Sequence, residues 1–192
     1  MQQESMSQRD SGYERKERDL YETPEWVTEA LSAHLPDRAL MRVWEPAAGA
    51  GRMVGVFERW GAGWFASDIE PLNAGVKRGD FFRWSSPPHR STSIITNPPY
   101  DLATEFCEHA LRLMEPVNGL VAMLLRTDFD HAKSRTHLFR DCPAFSKKLV
   151  LMKRIAWFVE ADGKPKASPS FNHAWYIWNW KHSGPPTIGY GP

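Results

Sequence analysis

Cysteine is nearly absent: Cys107 and Cys142 are the only two in 192 residues. They lie far apart, match no metal-ligand or redox spacing and offer no disulfide framework, which excludes a disulfide-built secreted scaffold and points to a reducing compartment. Long hydrophobic runs are missing as well. No window approaches the roughly 18 unbroken apolar residues of a membrane span, and the opening residues, MQQESMSQRDSGYERKERD, hold no apolar signal core. A cytoplasmic protein with no membrane association is expected. Metal ligation is poorly served: His131 and His137 stand six apart, and neither a His-Glu-x-x-His pattern nor a cysteine cluster occurs, so no metal is expected. No Ser-His-Asp or Cys-His order with supporting motifs points to nucleophilic catalysis. A large net charge is lacking too, but the formal +1 is unevenly spread: residues 1–125 carry 13 Lys+Arg against 18 Asp+Glu, and residues 126–192 carry 11 against 5. A basic second half suits a polyanionic partner.

What remains is 42% apolar and 24% charged, enough for one sizeable core and too little for two comfortable domains. Residues 1–18 are polar and charged and read as a flexible arm. Residues 183–192 (SGPPTIGYGP) read as a Gly/Pro-rich tail without regular structure. That leaves a single domain over residues 19–182. Within it, short β-like runs alternate with helical segments, the pattern of a parallel sheet covered by helices on both faces. Thr23-Pro24 predicts a helix to Leu35, with Thr23 as N-cap and Pro24 at the first helical position. Strands are predicted at residues 41–44, 64–67, 75–78, 92–96, 120–125, 149–155 and 174–180, and helices at 53–60 and 104–114. The segment 160–172, with Gly163, Pro165 and Pro169, reads as a loop. Trp175, Trp178 and Trp180 read as core and sheet-face residues rather than a stacking platform.

The first strand runs into Glu45-Pro46-Ala47-Ala48-Gly49-Ala50-Gly51, where small residues let a ligand approach the backbone at the start of a helix. The glycines do not keep the GxGxxG spacing of a dinucleotide fingerprint, and a glutamate at the strand end would repel pyrophosphate. A cationic, phosphate-free nucleoside cofactor fits better. The next strand ends in Ser67-Asp68-Ile69, where a carboxylate about twenty residues on is placed to accept from two ribose hydroxyls, with Ile69 against a base. Gly79-Asp80-Phe81-Phe82 sets another carboxylate beside two rings, able to accept from an adenine amino group while a ring covers the base. The decisive segment is Asn97-Pro98-Pro99-Tyr100, directly after an apolar strand. Two prolines fix the backbone, and the Pro98 carbonyl and the Asn97 side-chain oxygen become two acceptors converging on one small site. Accepting both protons of a planar amino group draws its lone pair out of conjugation and aims it at a methyl donor. Tyr100 offers a flat face for a base taken out of its stack.

With these segments in this order, the chain resembles the S-adenosylmethionine-dependent amino-methyltransferases, and especially the N6-adenine DNA methyltransferases of the NPPY type, over about residues 19–180. The resemblance implies a three-layer Rossmann-like fold with a seven-stranded, mostly parallel sheet whose last strand is antiparallel. It implies S-adenosyl-L-methionine as cofactor: Tyr21 and Thr23 near its methionine part, Glu45, Ala47 and Gly49 along the methionyl portion, Asp68 on the ribose, Ile69 beside the adenine, and Asp80 with Phe81 recognising it. Asn97, Pro98, Pro99 and Tyr100 would be the catalytic tetrapeptide, and Phe171 would cover the other face of the flipped base. The implied activity is methyl transfer to an exocyclic amine, adenine N6 in DNA before RNA. An RNA base amine or a protein glutamine amide is the alternative, and a non-catalytic nucleic-acid-binding subunit is the alternative of another class. The chain has no length for a separate target-recognition domain, so recognition would come from loops, a partner subunit or a second copy. Candidate nucleic-acid backbone contacts are Arg126, Lys133, Arg135, Arg140, Lys164 and Lys166, with Lys147 and Lys148 nearby.

Overall fold

The structure, a computed structural model, describes residues 21–157 and 171–192. The 1–18 arm, most of the 160–172 loop, Lys164 and Lys166 therefore lie outside the described residues. Strands β1 (Arg42–Glu45), β2 (Gly63–Asp68), β3 (Lys77–Arg78), β4 (Ser93–Thr96), β5 (Leu120–Arg126), β6 (Phe145–Leu151), β7 (His173–Asn179) and β8 (Thr187–Gly191) form one sheet in the order β3-β2-β1-β4-β5-β7-β6-β8. The pairings from β3 to β5 are parallel, β7 runs antiparallel to both β5 and β6, and β8 is parallel to β6. Strand order reverses between β1 and β4, so a topological switch point opens at their carboxyl ends.

The central strands are buried on both faces, as expected of parallel strands under helices. Alternation along β5 divides two cores: Val121, Met123 and Leu125 face the one that holds Trp44, Ile94, Phe106 and Trp178, whereas Leu120, Ala122 and Leu124 face the one with Val27, Phe57, Ile95 and Trp175. Helix α3 (Ala103–Met114) covers the first core, burying Phe106, Cys107, Ala110, Leu113 and Met114 at helical spacing. Helices α1 (Glu25–Glu29) and α2 (Arg52–Arg59) supply Val27, Met53 and Phe57 to the second. Trp175 and Trp178 are core residues as expected, with indole N–H groups donating to the Val27 and Leu138 carbonyls.

Four expectations need correction. The first helix stops at Glu29 and resumes only as a 3-10 turn, Ser32–His34, because the Ser32 hydroxyl donates to the Glu29 carbonyl and caps the helix end. Pro24, extended at φ −60 and ψ 143, occupies the N-cap, and Thr23 does not. The sixth strand begins at Phe145, four residues before its predicted start, because Lys148 is drawn inward to pair with Asp130 at 2.7 Å and so hid the strand pattern. The supposed tail contributes an eighth strand. Gly189 and Gly191 face inward, where added β-carbons would meet Leu149, Leu151, His34 and Ala30, while Ile188 and Tyr190 face solvent. Residues that read as a tail signal are the small contacts that let this edge strand lie close.

One close approach carries a stability expectation. A β-carbon on Gly119 would overlap the terminal methyl of buried Met114 and sit 3.1 Å from the Thr92 carbonyl. Gly119→Ala is expected to destabilise the chain by about 1–3 kcal/mol, as overpacking does, read as a lower denaturation midpoint with unchanged activity per folded molecule.

Candidate active site

Adjacent strands end together around the switch point. Glu45 closes β1, Asp68 closes β2, and Asn97 follows β4, whose Ser93 and Ile94 pair with Val43 and Trp44 of β1. Asp68 shapes the glycine-rich turn: Oδ2 accepts from the Gly49 amide at 2.8 Å and Oδ1 from the Glu70 amide at 2.8 Å. Ala48 donates to the Ser67 carbonyl and Leu72 to the Gly49 carbonyl, which ties the turn to the end of β2. Gly49 has φ +51, and a β-carbon there would project into open space. Only glycine adopts that backbone cheaply, and the open side leaves room for a ligand against the peptide. Both Asp68 oxygens are engaged, so Asp68→Asn, which keeps a single acceptor, is expected to loosen the turn and cost roughly 1–3 kcal/mol; thermal denaturation and cofactor titration would both register it.

Glu45 is 3% exposed, and its Oε2 has no hydrogen-bond partner among the described residues. Burial, reinforced by the Asp68 charge, pushes its carboxyl well above the usual carboxylate range. Asn97 is a second buried acceptor: Nδ2 donates to the Tyr21 carbonyl at 3.3 Å, and Oδ1 is buried without a partner among the described residues. The Pro98 carbonyl accepts no hydrogen bond among the described residues. Around this point four rings form a closed cycle. Tyr100 lies near-parallel to Tyr21 (6.5 Å between centroids, 24°) and to His173 (6.0 Å, 25°), and Trp157 approaches Tyr21 at 5.5 Å and His173 at 5.3 Å. Burial and the Arg126 charge lower the His173 pKa to about 4, so at neutral pH this wall is uncharged. Buried acceptors with no donor in reach are costly, and their meeting here describes a place for a ligand that brings N–H groups and positive charge.

No protein-family model matches the sequence, and no curated protein does. Solved structures match the fold. A protein from Listeria monocytogenes described as a class I S-adenosylmethionine-dependent methyltransferase superposes with a TM-score of 0.61 at 13% identity, over 88% of this chain and 65% of that one. The type I restriction-modification system methyltransferase subunit from Streptococcus thermophilus gives 0.58 at 14%, over 84% and 45%. A modification subunit described as belonging to a type I restriction enzyme of Vibrio vulnificus gives 0.56 at 15%, over 88% and 46%. This is the Rossmann-like methyltransferase fold. The chain spans about two thirds of the first of these proteins and less than half of the other two.

In this methyltransferase fold the candidate residues divide into those gathered at the strand ends and those placed elsewhere. Glu45, Gly49, Asp68, Asn97 and Tyr100 gather there, with Tyr21 held by Asn97 and Thr23 buried nearby in sequence. Ile69 follows β2 with 57% of its surface exposed, and Ala47 is half-buried against the first core. Asp80 caps a 3-10 turn, accepting from the Phe82 amide at 3.0 Å. The ring of Phe81 departs from expectation: it is a core residue, stacked on Phe106 at 4.7 Å and edge-on to Trp44 and His109, so its face is not offered to a base. Phe171 departs too. It lies under the Arg126 guanidinium at 4.1 Å and makes no ring contact with Tyr100 among the described residues.

Among the described residues, most of the basic candidates are engaged by groups of the chain itself. Arg126 pairs with Asp128, Arg140 is bidentate to Asp141, and Arg135 donates to the Phe129 carbonyl while covering the Phe129 ring. Lys148 is paired with Asp130, Lys147 approaches the His34 ring, and Lys133 stays exposed. Trp157 and His173 are the site residues that sequence reasoning missed. Trp157 follows the end of β6 by six residues and His173 opens β7, so neither stands in a local motif that marks it for the site.

Proposed function

We propose that this chain is an S-adenosylmethionine-dependent methyltransferase acting on an exocyclic amino nitrogen, adenine N6 in DNA before other targets. The observation that carries the reading is the buried Asn97 Oδ1, without a hydrogen-bond partner among the described residues, in the same segment as Tyr100 with its ring neighbours Tyr21 and His173, and at the strand ends where Glu45 Oε2 is likewise unpartnered.

The residues present suit the cofactor. Glu45 would face its ammonium-bearing end, Gly49 would admit it against the backbone, Asp68 would take ribose hydroxyls with its remaining lone pairs, and Ile69 would flank the adenine. Asp80 and Phe81 would recognise that base through side-chain and backbone polar groups, the Phe81 ring acting from beneath as packing. When bound, S-adenosylmethionine supplies a methyl group on a sulfonium centre, open to direct attack by an amine. Asn97 Oδ1 and the Pro98 carbonyl accept the two amine protons and hold the lone pair out of conjugation. Tyr100 and its neighbours Tyr21, His173 and Trp157 enclose a planar base, and the cycle of rings excludes water from the reacting nitrogen. No residue is placed as an obligatory base, and proton loss follows transfer.

Adenine in DNA is favoured because two of the superposed proteins are described as restriction-modification subunits. Recognition by a partner subunit is proposed on the same ground, together with the engagement of most described basic candidates by the chain's own groups. The test is transfer of label from methyl-labelled S-adenosylmethionine to duplex DNA, single-stranded DNA, RNA and cell protein, followed by nucleoside and amino-acid analysis. N6-methyladenine from DNA is the expected product; label in RNA or protein alone overturns the substrate, and no label in any acceptor, with or without a lysate to supply partners, overturns the activity.

A further inference from the structure

We propose that the opposite, amino-terminal end of the sheet carries a second ligand site, built for a nucleoside phosphate. A cleft of about 470 Å³ lies there, lined by Arg42, Gly63, Phe65, His89, Arg90 and Ser91 among others. Arg42 and Gly63 open β1 and β2 and pair in register, so this cleft stands a strand length, roughly 10–17 Å along the strands, from Glu45 and Asp68. The volume is within the range of small-molecule sites.

Its chemistry is the reverse of the strand-end site. Two guanidinium groups and an imidazole line it and no carboxylate does. Among the described residues neither Arg42 nor Arg90 has an acidic partner; Arg42 Nη1 donates to the His89 carbonyl at 3.2 Å, which anchors the guanidinium and leaves its other N–H groups to face the cleft. Cations sharing a concave, partly desolvated site repel one another until an anion joins them, and arginine forks match phosphate oxygens. Aromatic surface lies alongside: the His89 ring packs on Phe65 at 4.8 Å.

The turn that delivers these groups is strained. His89 (φ +50) and Arg90 (φ +56) are consecutive non-glycine residues in the left-handed region, each at a cost of about 1–2 kcal/mol. The turn is held in that state by Pro87 and Pro88 and by buried Ser91, whose hydroxyl and amide both donate to the Pro88 carbonyl at 2.6 and 2.9 Å. Glycine at either position would relax the strain but would remove the ring on Phe65 or the guanidinium in the cleft. Strain retained where side chains converge on a cavity is the signature of a site. A phosphate on Arg42 and Arg90, with its base against the Phe65 and His89 rings on the same sheet face, uses these features together. The inference does not depend on the methyltransferase reading.

The test is a calorimetric titration of the full chain with GMP, guanosine and inorganic phosphate, each with and without saturating S-adenosylhomocysteine. Guanine avoids the adenosine shared with the proposed cofactor. GMP is expected to bind one to one, at least tenfold more tightly than guanosine or phosphate and unaffected by S-adenosylhomocysteine. Arg42→Met and Arg90→Met, both at exposed residues and checked for an unchanged denaturation midpoint, are each expected to weaken it about 10- to 100-fold, the loss of charge-assisted hydrogen bonds. A short single-stranded oligonucleotide that displaces GMP with the same arginine dependence would assign the phosphate to a strand; failure to displace it assigns the site to free nucleotides. The proposal is overturned by no GMP binding up to about 10 mM, by binding that ignores both arginine variants, or by GMP that S-adenosylhomocysteine displaces.

Discussion

Asn97→Ala is expected to slow methyl transfer by about 10²–10³-fold, the usual cost of removing one preorganised acceptor or donor at a reacting centre, while cofactor affinity stays within about twofold. The reason lies in how the side chain is held. Its Nδ2 is spent on the Tyr21 carbonyl, which fixes the amide plane and turns Oδ1 into a buried space with no partner. An acceptor left bare in that way contributes nothing to the free protein and becomes useful only when an N–H arrives. Alanine removes it without disturbing Glu45, Gly49 or Asp68, which lie on β1 and β2 and the turn between them. Single-turnover rates with saturating cofactor and acceptor separate the chemical step from binding. Loss of cofactor affinity in equal measure would mean that Asn97 supports the cofactor site rather than the amine.

Glu45→Gln is expected to act in opposite directions on stability and on binding. Burial raises the Glu45 pKa, with the Asp68 charge adding to it, so the folded chain holds a proton that the unfolded chain releases at lower pH. A raised carboxyl pKa contributes stability that is fully present below the unfolded pKa and is lost as pH rises through the folded value. Glutamine at position 45 has no charge to desolvate. The variant is therefore expected to match the parent near pH 4 and to exceed it in Tm by several degrees at pH 8, the gap opening above the ordinary carboxylate range. Binding runs the other way on the proposed reading: an ammonium group beside Glu45 would keep it ionised in the complex, and removing that charge-assisted contact is expected to weaken the cofactor about 10- to 100-fold. Denaturation scans at several pH values check the first half, and a Tm difference that shrinks as pH rises would contradict it.

The part of the fold that the sequence makes legible is the part built from apolar strands and small-residue turns. The run Leu120–Arg126 reads as a buried strand because both of its faces meet core, and the order Glu45, Asp68, Asn97 reads as a site because each polar residue directly follows or closes such a strand. Where side chains serve two purposes the reading fails. Lys148 looks like a surface cation and is instead drawn inward by Asp130 and the Tyr176 ring. Gly189 and Gly191 look like tail residues and are packing surfaces. Phe81 looks like a ligand-facing ring because it follows Asp80, yet the 3-10 turn that Asp80 caps rotates it into the core. Phe171 is marked only by its place in the chain, whereas the rings that reach Tyr100 come from Tyr21, near the start of the described chain, and from His173. Such long-range meetings carry no local pattern. Among the described residues no helix is long and apolar enough to cross a membrane.

The central claim is that the carboxyl ends of β1, β2 and β4 form one cofactor cradle with Glu45 as its charged wall. It is tested most directly by calorimetric titration of S-adenosylhomocysteine into the parent chain and Glu45→Gln, in two buffers of different ionisation enthalpy between pH 6 and pH 8. The account expects one site per chain, affinity that rises with pH, a proton released on binding by the parent, and neither proton release nor pH dependence in the variant. No binding, or binding with the same affinity and proton balance in both proteins, would contradict it.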